Sequence, residues 1–266
     1  MSTALTELRF PNPKHELAAK LQDPNLIEVI GSYCNSDIEP GAFAMAAMTE
    51  INDLPADTDR RSVWNSIVNC ATLGLIPGKA YGHAFFVPLM NRTYKPAIRE
   101  CNLWLGYKGY LELGYRSGWL AGITLEVVVG DEKFRRWNDR NGAQLEHEIN
   151  PNRPLVIDPP TVVCSYCQYT TTSGYSDVVT IGGNQLRALR DKQGKVWNSN
   201  FIEMALKTPI RRASKRWRQT SSLANAVRLD EQLERNETQD ALRETVIPDG
   251  KTITFEQGAS DGERSD

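Results

Sequence analysis

An α+β fold is predicted by three features of the sequence. Helical segments dominate up to about residue 74, β-branched and aromatic runs bounded by turn residues fill the middle, and helical periodicity resumes near residue 183. Segregation of this kind, rather than a repeated strand–helix alternation, predicts N-terminal helices, a central mainly antiparallel β-sheet with an inserted helix, and C-terminal basic helices.

Taken in order, "DPNLIEVIGSYC" starts with Asp23 as a cap and Pro24 at the first helical position, and "EPGAFAMAAMTEIND" follows as an apolar helix. In "DRRSVWNSIVNCATLGL", Val63, Ile67, Cys70 and Ala71 share one face before Gly74 closes the helix. "HAFFVPLMN" and "KPAIRECNLWLGY" read as strands joined by a turn containing Asn91, with Pro88 at an edge position or bulge. "GYKGYLELGYRSG" reads as a short helix ending at Gly118, and "WLAGITLEVVVGDEKF" as one strand. "PPTVVCSYCQYTTTSGYSDVVTI" predicts a hairpin turning at Ser173 and Gly174. Helices then return in "GNQLRALRD", "SNFIEMALK", "TPIRRASKRWRQ" and "SSLANAVRLDEQLERNETQDALRETV". The organisation that follows is a helical region over 1–58, a core over 59–220, a helix over 221–247 and an acidic, disordered tail over 248–266.

A net charge of -2 hides a division: from Asp230 onward eleven acids face four bases, which leaves the preceding body at about +5. No apolar run is long enough for a membrane span, and "MSTALTELRF" has no apolar core behind a basic start, so a soluble, cytoplasmic protein is expected. Five dispersed cysteines suit a reducing compartment; Cys164 and Cys167 read as buried residues on opposite faces of a strand rather than as metal ligands.

The strongest chemical signal is "MALKTPIRRASKRWRQTS". Lys207, Arg211, Arg212, Lys215, Arg216 and Arg218 fall here with no acid among them. At 100° per residue, Leu206, Ile210, Ala213 and Trp217 form a packing stripe while the cations fan over the opposite half. Thr208 suits an N-cap and Pro209 a first helical position, which predicts two helical segments meeting at a kink. Six like charges without i,i+4 acids point to a polyanion partner over a merely solvated helix face.

A second constellation interleaves Arg92, Lys95, Arg99, Lys108 and Arg116 with Tyr94, Trp104, Tyr107, Tyr110, Tyr115 and Trp119. Cations for phosphates beside flat rings for bases are the composition of a single-strand binding surface, with Trp104 and Tyr110 expected in the core. "GLIPGKA" is not a phosphate loop: three residues separate its glycines, and Ala80 stands where a hydroxyl is needed. Asp131 and Lys133 in "GDEKF" carry part of a metal-dependent nuclease pattern, without an evident second metal-holding acid. No nucleophile has a recognisable partner, so a non-enzymatic role is expected, with a divalent-metal nuclease as the alternative from another class and an RNA-annealing chaperone as a third.

Three blocks resemble the RecT and Red-beta type single-strand annealing proteins of phages. "NCATLGLIPGKAYGHAFFVPLMN", "LWLGYKGYLELGYRSGWLAGITLEVVVGDEKF" and "FIEMALKTPIRRASKRW" are similar to the family's blocks and occur in the family's order. The resemblance implies an ATP-independent protein that coats single-stranded DNA, anneals a complementary strand, and holds the product duplex in a homo-oligomeric ring or helical filament. Lys207, Arg211, Arg212 and Lys215 match the cations of the last block, and Lys108 and Arg116 those of the middle one. Pro209 and the ending "SKRWRQTS" depart from the family pattern. No cofactor is implied beyond Mg²⁺ as a counterion of DNA. A single-strand-binding protein and a partner exonuclease are implied as contacts of the C-terminal region, where Ile253 and Phe255 could anchor.

Overall fold

The computed structural model describes residues 16–34, 38–193, 195–235 and 237–239, so the expected tail, with Ile253 and Phe255, lies outside the described residues. The chain divides into two compact units, one formed by residues 1–104 with 228–266 and the other by residues 105–227.

The first unit contains α1 (Glu16–Lys20), α2 (Pro24–Gly31), α3 (Pro40–Asn52), α4 (Arg60–Leu73) and the paired strands β1 (Ala84–Asn91) and β2 (Ile98–Leu105). Its helices start where the sequence supplies acceptors for free N–H groups. Asp23 accepts from the Asn25 N–H at 2.9 Å, Glu39 from Gly41 and Ala42, and Asp59 from the Ser62 N–H at 2.7 Å. Gly74, at φ 65°, ends α4 in the left-handed region, as the sequence predicts. The expected face of α4 is buried, but so are Trp64, Asn65, Ser66 and Asn69 on its other sides, which makes α4 the central helix of the unit.

That position creates a problem for β2, because its outer edge is buried without a third full strand. Polar groups from elsewhere in the unit complete it. Arg99 O accepts from the Asp59 N–H at 2.8 Å. The Cys101 N–H donates to Ser62 Oγ at 2.8 Å, and Ser66 Oγ donates to Cys101 O at 3.1 Å. Gln239 accepts from the Leu103 N–H at 2.7 Å and donates to Leu103 O and Leu229 O at 3.1 and 3.0 Å. The last helix among the described residues, α9 (Ser221–Glu234), ends short of the expected 247, and Glu237–Gln239 runs as a strap that presents this amide. α9 also carries Arg228 against Asp230, Glu231 and Glu234, so it is not a basic helix.

The second unit holds α5 (Tyr107–Arg116), β3 (Leu120–Val129), β4 (Lys133–Asp139), β5 (Gly142–Glu148), β6 (Val162–Thr171), β7 (Ser176–Gly182), α6 (Gly183–Gln193), α7 (Lys195–Ser199), α8 (Phe201–Ser214) and the start of α9. Its five-stranded sheet has the order β3-β6-β7-β5-β4. All neighbours are antiparallel except β5 and β7, which meet in parallel at Gly142 and Ser176, so the sheet is mixed. The β6–β7 hairpin turns through Ser173 and Gly174 as predicted, with Gly174 at φ 85°.

Two expectations are corrected here. "VVVGDEKF" is not one strand: the chain turns at Gly130, φ 59°, and β4 begins a separate hairpin with β5. The overlooked signal is Asn141–Gly142 between alternating residues, with Phe134 and Leu145 directed to the core and Lys133 and Glu148 exposed. Gly142 is required twice over, since its φ is 105° and an added Cβ would lie 2.1 Å from Ser176 O.

The second correction concerns Pro209, which lies inside one continuous helix, α8, instead of starting a second. Thr208 is helical too, its Oγ1 donating to Met204 O at 2.8 Å. Phe201, Ala205, Pro209, Ile210 and Ala213 are all buried, and α8 packs on α5, β6 and β7; this packing along the helix outweighs the one backbone bond that proline removes.

Candidate nucleic-acid interface

Trp217 anchors the end of α8. Its ring is 3% exposed, stands edge-on to Tyr169 with centroids 5.8 Å apart, and meets α5 at Gly114, where an added Cβ would come within 2.8 Å of Trp217 Cζ3. The packing face read from the sequence is thus real at Ile210, Ala213 and Trp217, with Leu206 half-buried. The turn that follows α8 is held by Gln219, whose amide donates to Ser214 O and Trp217 O, both at 2.9 Å.

On this anchored element the six predicted cations separate into three environments. Arg212, Lys215 and Arg218 are exposed. Lys207 is buried at 8% exposure, and Arg211 is half-buried with Nε and Nη2 shielded from solvent. A helical wheel places Lys207 at the margin of the cationic half, about 90° from the centre of the packing stripe, and α8 is covered on more than one side, so its buried arc is wider than a single stripe. Arg216, 59% exposed, is held by an acid from outside the segment: its Nη1 donates to Asp177 Oδ2 of β7 at 2.9 Å. Burial pushes the Asp177 carboxyl up, but hydrogen bonds from Arg216, the Val178 N–H and Tyr169 outweigh it and hold the group below the usual carboxylate range.

α5 packs against α8 and brings part of the second constellation to the same unit. Lys108 is exposed and Arg116 half-buried, one near each end of the helix. Tyr107 is half-buried; burial and then the charges of Glu203 and Glu126 push its hydroxyl above the ordinary range. Tyr110 is fully buried, as expected. Tyr115 is 48% exposed, and its hydroxyl caps the β3 edge by donating to Ile123 O at 3.3 Å and accepting from the Ile123 N–H at 3.1 Å. Arg92, Lys95 and Arg99 belong to the first unit, at or beside the β1–β2 turn. Arg92 and Lys95 are exposed, whereas Arg99 Nε pairs with Asp57 at 2.9 Å.

The nuclease-like triplet is arranged differently from its sequence reading. Asp131 is exposed in the turn before β4, and Lys133 Nζ donates to Glu148 at 2.8 Å. Glu132 between them turns inward: Oε2 accepts from the Val129 N–H at 2.8 Å and lies 3.2 Å from His147 Nε2, while Oε1 accepts from the Asn150 N–H at 3.0 Å. His147 Nδ1 in turn lies 3.2 Å from the Tyr166 hydroxyl. Burial raises the Glu132 carboxyl, but these hydrogen bonds and His147 prevail and hold it below the usual range. This network ties the β4–β5 hairpin to β6. Cys70, Cys101, Cys164 and Cys167 are buried free thiols; burial pushes Cys101 up to about 12 and Cys164 up to about 11, which makes them poor nucleophiles at neutral pH.

Residues 41–245 match the RecT family, more than half of the chain. The chain belongs to the RecT family. It is 29% identical to Protein RecT of Escherichia coli (strain K12) over 215 residues, covering 79% of this chain and 78% of that relative. It is also 25% identical to the uncharacterized protein YqaK of Bacillus subtilis (strain 168) over 163 residues, covering 60% of this chain and 52% of the relative. The RecT family match takes in both units, including α5, α8 and the Gln239 strap. No helix among the described residues of this RecT family protein is long and apolar enough to cross a membrane.

Proposed function

We propose that this protein binds single-stranded DNA and anneals complementary strands in homologous recombination without ATP. RecT family membership supports a recombination-related single-strand annealing protein. The observation that carries the reading is the exposed group Arg212, Lys215, Arg216 and Arg218 on an element anchored by Trp217. Lys108 and Arg116 on α5 extend the cationic surface, and Tyr107 offers a ring beside it. Arg92 and Lys95, exposed in the first unit, are separate candidate phosphate contacts. Lys207 and Arg211 act mainly in fixing α8, and Arg99 in fixing β2 to Asp57.

Cations that grip sugar-phosphate leave the bases free to test a second strand, so Watson–Crick pairing supplies specificity. Stacking in the new duplex, about 1.4 kcal/mol per step, drives annealing without hydrolysis. The protein works as a homo-oligomer in the bacterial cytoplasm, needs no cofactor, and uses Mg²⁺ only as a counterion of DNA. A single-strand-binding protein or a partner exonuclease is proposed as a contact of the C-terminal region, whose residues after Gln239 lie outside the described ones.

The test incubates complementary labelled oligonucleotides with the full-length protein, with and without ATP and Mg²⁺. Annealed duplex of unchanged strand length, formed without ATP and inhibited by salt, is expected. With about five or six phosphates neutralised, the logarithmic salt slope is roughly -4. Shortened strands that disappear in Asp131→Ala would overturn the reading in favour of a nuclease, and preferential annealing of RNA would shift the substrate class.

A further inference from the structure

The cationic segment has no acid of its own, yet one of its exposed arginines is tethered to a carboxylate 39 residues away. Asp177 Oδ2 receives two donors, Arg216 Nη1 at 2.9 Å and the Tyr169 hydroxyl at 3.1 Å. Tyr169 and Asp177 are direct register partners on β6 and β7, and the Tyr169 ring packs on Trp217, the residue next to Arg216. The Asp177 side chain is 13% exposed and Arg216 is 59% exposed. One end of the ion pair is therefore built into the sheet while the other faces solvent.

A guanidinium has five N–H donors, and a single carboxylate oxygen takes one. Among the described residues, Nη1 is the Arg216 side-chain atom that makes a hydrogen bond, so Nε and Nη2 remain able to donate to a ligand. A long side chain at the surface otherwise loses rotamer freedom when it binds. Tethering one amino group removes part of that loss beforehand and leaves a planar fork suited to phosphate.

We propose that Asp177, oriented by Tyr169, is a positioning residue that presents the Arg216 guanidinium to a phosphate of single-stranded DNA. This rests on the DNA-binding reading above. Asp177 touches no DNA itself; it selects the Arg216 rotamer. Its depressed carboxyl keeps it ionised across the neutral range, so the tether is present wherever the protein works.

The experiment measures binding of fluorescein-labelled oligothymidylate to the full-length protein between 50 and 200 mM salt. The variants are Arg216→Ala, Asp177→Asn, Tyr169→Phe, Asp177→Glu and the double Asp177→Asn with Arg216→Ala. Arg216→Ala should weaken binding and make the logarithmic salt slope shallower by about 0.7, the share of one single-strand phosphate. Asp177→Asn should weaken binding in the same direction, with no further loss in the double variant, and Asp177→Glu should restore part of it. Tyr169→Phe keeps the ring against Trp217, so it should melt close to wild type while binding two- to threefold more weakly. Tighter binding with a steeper slope in Asp177→Asn would overturn the proposal, because Asp177 would then compete with phosphate. Wild-type affinity and slope in both Asp177→Asn and Tyr169→Phe, or in Arg216→Ala, would overturn it as well. These results leave the DNA-binding reading standing; a wild-type protein that fails to bind at 50 mM salt would remove both.

Discussion

Trp217→Ala separates the anchoring of α8 from its proposed use as a DNA surface. The side chain is 3% exposed and touches Tyr169 and Gly114. Its Nε1 is buried with no hydrogen-bond partner among the described residues, so truncation breaks no such bond and the cost is packing alone. Burial of about 200 Å² at roughly 25 cal/mol per Å² corresponds to about 5 kcal/mol, and measured tryptophan truncations fall at about 3–5 kcal/mol. For a unit of this size, about 4 °C per kcal/mol puts the fall in Tm at roughly 12–20 °C. Thermal unfolding followed by circular dichroism measures it, alongside oligothymidylate binding at 10 °C. Binding per folded molecule should fall less than threefold. By contrast, Arg212→Ala with Lys215→Ala should leave Tm within about 2 °C and weaken binding at least tenfold at low salt. A Trp217→Ala protein with wild-type Tm and no binding would refute the assignment, because the ring would then be a base-stacking group.

Three further outcomes follow from the packing. Gly142→Ala drives a Cβ to 2.1 Å from Ser176 O at a φ of 105°, so the β5–β7 junction must open; loss of soluble protein or a Tm lower by more than 10 °C is expected in a melting scan. Gln239→Ala strips the Leu103 N–H and C=O of their partners, costs about 2–4 kcal/mol, and should accelerate hydrogen exchange at the Leu103 amide in particular. Glu132 has a lowered folded pKa, so its stabilisation is complete above the ordinary carboxylate value and is lost as pH falls through the folded one. Glu132→Gln should therefore be less stable than wild type at pH 7, with the difference narrowing below about pH 4 in denaturant titrations.

Much of the architecture is legible in the sequence because helix and hairpin signals act over a few residues. Asp23 with Pro24, Asp59, Gly74 and the Ser173–Gly174 turn each mark a boundary through their own backbone chemistry. The β4–β5 hairpin is equally local, in Asn141–Gly142, but the apolar run of β3 continues the strand pattern up to Gly130, where a left-handed turn ends it. α9 shows the opposite failure: its periodicity continues past Glu234, yet the buried edge of β2 recruits Thr238 and Gln239 into an extended strap.

For the candidate interface, the sequence alone determined which segment carries the cations, that Trp217 belongs to the packing face, and which family motifs the blocks resemble. Only the tertiary structure decided which cations are buried, which are exposed and which are paired. Lys207 is buried because α8 is covered by α5, β6 and β7 together, a breadth that a helical wheel does not contain. Pro209 stays within one helix because that same cover holds the residues on either side of it. Arg216 meets Asp177 because strand pairing brings β7 beneath the end of α8, and pairing between remote strands is set by register, not by neighbours along the chain. Charge composition is a local property, whereas the partner of each charge is a property of the fold.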